Sequence, residues 1–270
     1  LAYPIFRELK YSLRETDRSN SAVEYQDVKY YYLVCALEQN DKTAVEPARE
    51  FIDLENNAPR VGMMSFHLAE YYFRQKDYTA AVRMYEQADI ENLSNREIAD
   101  LKFHQGYGYF TQQRFDKALP LFDAIRQLPK VPKHVDANYY YGFIEFYKKN
   151  YDGALDALKI AEPDAHYKNI VPYYIAEIYY FKGDKDAALS YALNALNKGG
   201  QYYETELKQL IGHIYFEKNQ YAKALPYLED YITKSPKVNR EDLYELSYCY
   251  YAQTQWQKAI DGFKELGGDQ

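Results

Sequence analysis

Five histidines, two cysteines and a dense scatter of carboxylates are the groups in this sequence that could bind a metal or move a proton. A metal site needs three or four converging N, O or S donors. His67 and His104 occupy equivalent places in the repeat pattern described below, but no cysteine or carboxylate recurs in step with them, so no metal is expected. Gly106-Tyr107-Gly108 has the look of a phosphate cradle, yet Phe110 and Thr111 follow it and no strand pattern precedes it. Cys35 and Cys249 stand at opposite ends of the sequence and are expected to be buried thiols rather than a bridge. The expectation is therefore no catalytic residue, no cofactor and no enzymatic activity. What the chain has in excess is rings, 33 Tyr and 13 Phe against 12 Gly. Rings on a concave surface anchor partners.

The elements that must carry those rings announce themselves by spacing. A small residue followed twelve positions later by Ala recurs as Ala36/Ala48, Ala69/Ala81, Gly106/Ala118, Gly142/Ala154, Ala176/Ala188, Gly212/Ala224 and Ser247/Ala259. Successive first members lie 33, 37, 36, 34, 36 and 35 residues apart. Two antiparallel helices per repeat explain a fixed inner spacing with a wandering outer one. The small residue lets the second helix come close, and the Ala faces it. One turn beyond the small residue stand Tyr72, Tyr109, Tyr179, Tyr215 and Tyr250, and one turn beyond the Ala stand Ile52, Tyr85, Phe122, Leu158, Leu228 and Phe263. Both sets read as core. Thr79, Asp116, Asp152 and Asp186, two positions before the Ala, are expected to cap the second helix. With Asp116 as the cap, Pro120 falls at the fourth helical residue, whose N–H is unpaired in any case. Pro59, Pro129 and Pro236 are expected to stop the second helix.

Gln105-Gly106-Tyr107-Gly108-Tyr109 leading to Ala118, Phe122 and Pro129, and Ile211-Gly212 leading to Tyr215, Ala224, Leu228 and Pro236, resemble the tetratricopeptide repeat. The family's early Trp is absent, its place taken by residues such as Ser65, Lys102 and Pro172, and the core aromatic becomes Gln39 in the first repeat and Glu145 in the fourth. The resemblance implies an all-α fold, a right-handed superhelical solenoid of antiparallel helix pairs. Seven repeats cover roughly residues 27–266, and residues 1–18 are spaced like the trailing helix of one more, so residues 1–270 are expected to form a single solenoid cut from a longer array. End-to-end self-association through the last helix (Ile260, Phe263, Leu266) is a corollary.

The resemblance also implies that first helices line a groove, with the residues three before, one after and four after each small residue pointing into it. Aromatics fill these places as Phe66, Phe103, Tyr139, Tyr173 and Tyr244, then Tyr107, Phe143 and Tyr248, then Phe73, Phe110, Phe146, Tyr180, Phe216 and Tyr251. The last set is common in the family for packing alone, so the first two carry the excess. Glu70, Glu177, Asp100, Asp136, Glu206 and Glu241 should lie on or beside the groove, with Arg74 its evident cation. The Lys and Asn that hold a carboxylate tail in the family's chaperone-tail receptors are missing. The expected function is a protein–protein interaction scaffold that binds an extended peptide or partner domain with apolar and basic residues. A glycan-binding module stacking sugars on the same rings is the alternative. A net charge of −7 argues against nucleic acid. No apolar run is long enough for a membrane span, and compartment, cytoplasm or bacterial cell envelope, is left open.

Overall fold

The computed structural model describes residues 2–16, 23–89, 91, 93–128 and 130–267. Every regular element among them is helical. Helix α1 (Ala2–Thr16) precedes seven pairs: α2 and α3 (Val23–Glu38, Val45–Leu54), α4 and α5 (Ala58–Arg74, Tyr78–Tyr85), α6 and α7 (Asn95–Thr111, Phe115–Arg126), α8 and α9 (His134–Tyr147, Tyr151–Ala161), α10 and α11 (Val171–Phe181, Lys185–Lys198), α12 and α13 (Glu204–Glu217, Tyr221–Lys234), and α14 and α15 (Arg240–Ala252, Trp256–Gly267). Asp17 and Arg18, the end of the expected leading helix, lie outside the described residues. The chain divides into two compact units, Leu1–Ala137 and Asn138–Gln270, the boundary falling inside α8.

The small-residue and Ala pattern is the packing code of each pair. Ala48, Ala81, Ala118, Ala154, Ala188 and Ala224 have no exposed surface, and Ala259 has almost none. Opposite them space is exhausted. A Cβ on Gly106 would sit 3.1 Å from Phe122 Cε1, and one on Gly142 would sit 2.7 Å from Leu158 Cγ. Phe122 and Leu158 are themselves fully buried. The expected core tyrosines Tyr72 and Tyr109 are buried, and phenol groups that reach an edge find acids, Tyr109 donating to Glu86 at 2.6 Å and Tyr250 to Glu229 at 2.7 Å. In the fourth pair Glu145 takes the tyrosine's place, 3% exposed, accepting from the Asn150 amide with Lys148 3.6 Å away. A buried charge is tolerable only with such partners.

The turns inside the pairs share one geometry. A residue with positive φ follows each first helix: Asn40, Lys76, Gln113, Lys149, Gly183, Asn219 and Thr254. The next N–H then reaches back five residues, as in Asp77 to Tyr72 O (3.0 Å), Arg114 to Tyr109 O (2.9 Å) and Gln220 to Tyr215 O (2.8 Å). This is the Schellman closure, which normally uses Gly because a left-handed L-residue is strained. Gln113→Gly and Lys149→Gly are therefore each expected to stabilise the protein by about 0.5–1 kcal/mol, read as a raised midpoint in chemical denaturation.

Three expectations are corrected. The caps of the second helices stand two residues earlier than expected: Asp77, Asn150 and Asp184 accept from the N–H three residues on, while α7 starts after Arg114 with no side-chain cap. Thr79, Asp116, Asp152 and Asp186 instead sit in the first turn. There the helix dipole favours a carboxylate, and two of them face the next pair, Asp152 meeting Lys182 and Asp186 meeting Lys218 at 2.5 Å. Pro120 is consequently the sixth residue of α7 and lies inside the helix, as Pro226 does in α13; both are exposed, so water serves the carbonyl each leaves unbonded. Pro59 opens α4 rather than stopping α3, since a proline's missing N–H is harmless in a first turn. Pro236 directly follows the C-cap of α13, where it was expected, and Pro129 lies outside the described residues.

Candidate functional site

In the first unit the expected groove rings fall into two groups. Phe66 and Phe103 are 5% and 8% exposed. Phe103 packs on Phe122 at 5.8 Å with the Lys133 ammonium 5.1 Å above its ring, so these two positions are spent on core packing. Phe73, Tyr107 and Phe110 remain half-buried on the first-helix face. Phe73 stacks on His104 at 3.9 Å and meets Tyr107 edge-on at 5.9 Å, and Phe110 leans on Phe115.

Each of the two histidines has a carboxylate partner, and the two acids come from different places in the repeat. His67 Nδ1 lies 3.1 Å from Glu38 Oε1 and His104 Nδ1 lies 2.8 Å from Glu70 Oε1, each acid coming from the preceding first helix. Glu70 also accepts from Tyr85 at 2.5 Å. Arg74, the expected groove cation, is tied down by Asn40 Oδ1 at 3.0 Å and Leu37 O at 2.7 Å. No cluster of three metal-ligating side chains occurs among the described residues.

In the second unit the rings build a continuous aromatic layer. Tyr139 stacks on Tyr167 at 4.2 Å, Phe143 and Phe146 meet Tyr174 edge-on at 5.6 and 5.3 Å, and Tyr173 leans on Tyr203 at 4.6 Å. Tyr167, Tyr174 and Tyr203 were not legible as partners of this layer. Two of them lie in connections between helices, and Tyr174 stands off the groove positions. At the far end Tyr248 is half-buried against Phe216 and Tyr221, while Tyr244 and Tyr251 are 46% and 52% exposed. Trp256, 53% exposed, meets Tyr251 edge-on at 5.4 Å.

Charge is concentrated in the same face. Gln209 and His213, two of the positions where the ring pattern lapses, hold acids of the next first helix. The Gln209 amide lies 2.9 and 3.1 Å from the two oxygens of Asp242, and His213 Nδ1 donates to Glu245 Oε1 at 2.6 Å. Asp242 and Glu245 are 4% and 3% exposed, and Glu245 Oε2 has no hydrogen-bond partner among the described residues. His213 Nε2 sits 2.7 Å from the Tyr180 hydroxyl, and its bond to Glu245 raises its pKa against the opposing effect of burial. Glu177 shares the face of α10 with Tyr173 and Tyr180. Burial pushes its carboxyl up to about 7, the charge of His213 opposing only in part, and no hydrogen bond among the described residues stabilises its ionised form.

A stack of helix pairs in each unit, with rings and acids gathered on first helices, defines an all-α helical-repeat solenoid. A tetratricopeptide-repeat family model matches residues 103–167 and a second matches residues 243–268. The chain thus carries tetratricopeptide repeats, and proteins built of them generally act as protein-interaction scaffolds. Solved structures share the fold at low identity. The C-terminal part of a repeat-containing protein from Cytophaga hutchinsonii gives a TM-score of 0.59 at 16% identity, covering 88% of this chain and 93% of that one. PilF from Pseudomonas aeruginosa gives 0.55 at 15% over 80% and 90%, and a MamA structure 0.53 at 21% over 67% and 94%. Comparison with curated proteins gives no match. No helix among the described residues is long and apolar enough to cross a membrane.

Proposed function

We propose that the first-helix face of the second unit binds an extended peptide segment that carries a basic side chain beside apolar or aromatic ones. Glu177 carries the reading. It is an acid held among Tyr173, Tyr180 and His213 with no hydrogen bond to its charged form, a cost that an incoming Lys or Arg removes. The exposed rings Tyr244 and Tyr251, with Tyr248 behind them, supply apolar anchors further along the same face. Tyr180 and Tyr173 add ring faces for cation–π contact. In the first unit Phe73, Tyr107 and Phe110 are candidates of the same kind. The polar side chains that a sugar would need, Gln209 and Asn40, are engaged by Asp242 and Arg74, which favours peptide over glycan. Self-association through α15 is part of the proposal, since Ile260 and Trp256 leave apolar surface exposed there.

Selection from a random extended-peptide library tests the reading. Enriched peptides are expected to pair Lys or Arg with an aromatic or branched apolar residue. Tyr244→Ser combined with Tyr251→Ser, both exposed, should lower the affinity of those peptides at least tenfold, each hot-spot ring being worth about 2 kcal/mol, while the circular dichroism spectrum is unchanged. Enrichment of acidic peptides or of free carboxyl termini overturns it.

A further inference from the structure

Away from the first-helix face, the first unit contains an opening of a different character. A cavity of about 440 Å³ lies between α6 and α7 and the connection that follows them. Ile98, Ala99, Ala124, Ile125, Leu128 and Val131 line it, and Leu128 is 53% exposed. Three other openings among the described residues differ in kind: one is bordered by Glu229 and Asp230, another by Arg49, Asp53 and Arg83, a third by Glu162, Lys168 and Lys198.

The sequence explains why this opening exists. Lys102 stands four residues before Gly106, the place of the absent tryptophan, and Ala99 and Ala124 put only methyl groups on the facing walls. No large side chain is left to fill the gap between the helices. A void of this size lined by apolar groups is within the range of small-molecule sites, which characteristically add a few polar groups at one end. Here those groups are cations. Lys102 and Lys130 border the cavity together with Asn95, and neither lysine makes an ion pair among the described residues.

We propose that this cavity binds a free fatty acid, its chain between α6 and α7 and its carboxylate held by Lys102 and Lys130. The apolar walls remove the chain from water, at about 0.8 kcal/mol for each buried methylene. The ammonium groups select an anionic head, and the Asn95 amide adds a donor. The site is independent of the peptide face, so either can fail without the other.

Dodecanoate and dodecanol, titrated separately by calorimetry into the full chain, are the probes. Dodecanoate is expected to bind one site saturably and at least tenfold more tightly than the alcohol. Lys102→Met with Lys130→Met should erase that preference while the alcohol's affinity stays the same. Ala124→Phe should abolish binding of both. Because overfilling can disturb the fold, Lys102→Trp is the second filler: it returns a ring to the family's position, so it is expected to raise the melting temperature while removing dodecanoate binding. Equal binding of acid and alcohol, no saturable binding, or retention of dodecanoate by both filled variants overturns the proposal. Binding of anionic phospholipid vesicles without binding of monomeric dodecanoate overturns it in favour of a membrane-surface contact. A peptide that competes for the cavity when dodecanoate does not bind overturns it in favour of a protein partner.

Discussion

Gly212→Leu is expected to unfold the pair α12 and α13 at temperatures where the parent is fully folded. The Cβ alone would lie 2.7 Å from Leu228 Cδ2, 2.8 Å from its Cγ and 3.3 Å from its backbone nitrogen. Leu228 is fully buried and cannot swing away. Three further carbons multiply the overlap, so the cost is put at about 3 kcal/mol, the top of the overpacking range. Gly212→Ala separates the opposing effects. Alanine gains about 0.5–1 kcal/mol of helix propensity over glycine, so the steric conflict is the measured net destabilisation plus that gain. In a repeat stack each pair touches its neighbours only. Hydrogen exchange should show protection lost first in α12 and α13, then in α10, α11, α14 and α15. Parent-like stability for the leucine variant would sink the close-packing account of the small residues.

Glu177→Gln should raise stability at pH 8 and leave it nearly unchanged at pH 4. The carboxyl's ordinary value is 4.5 and burial moves it up to about 7 in the folded protein. A raised folded value means that the folded state holds the proton more tightly. The stabilisation is therefore complete below 4.5, declines as the pH climbs, and is gone above about 7. The full swing is about 3 kcal/mol, which the amide variant removes. His213 is also raised, through its bond to Glu245, and loses its contribution in the same upward direction, so the difference between parent and Glu177→Gln reads the acid together with its coupling to His213. A basic peptide should reverse the pattern by stabilising the ionised carboxyl. Binding should tighten between pH 6 and 8 and release a proton, visible as a binding heat that depends on buffer ionisation. Glu177→Gln should weaken the peptide at least tenfold at pH 8 and flatten that dependence. Unaltered affinity with the stability effect intact would leave Glu177 a buried acid and nothing more.

Helix pairing was legible because steric exclusion is local and periodic. Gly142 and Ala154 must be small whatever surrounds them, and a twelve-residue interval states that directly. The turns were legible only as short polar breaks. Six of the seven left-handed residues are not glycine, so Lys76 or Thr254 gives no sign of positive φ. The caps were misplaced because an aspartate in a first turn and an aspartate at a cap satisfy the same electrostatic demand. What separates Asp152 and Asp186 from true caps is a lysine about thirty residues later, a tertiary fact. Asp242 and Glu245 escaped notice for the same reason, their partners Gln209 and His213 standing on the preceding first helix. Phe66 and Phe103 occupy the positions that a groove ring would, and only the packing around them puts them in the core.

The bonds that pass from one first helix to the next have a mechanical meaning. In the first unit His67 to Glu38, Arg74 to Asn40 and His104 to Glu70 form such a line; in the second unit Tyr180, His213 and Glu245 form another, beside Gln209 and Asp242. Hydrogen bonds are directional and resist sliding, whereas the apolar contact of a second helix with the first helix that follows it, such as Ala192 and Ala195 near Leu207, has no direction of its own. Within each unit the first-helix edge is thus nearly inextensible, and bending leaves the spacing of its side chains unchanged, like a tape stiffened along one border.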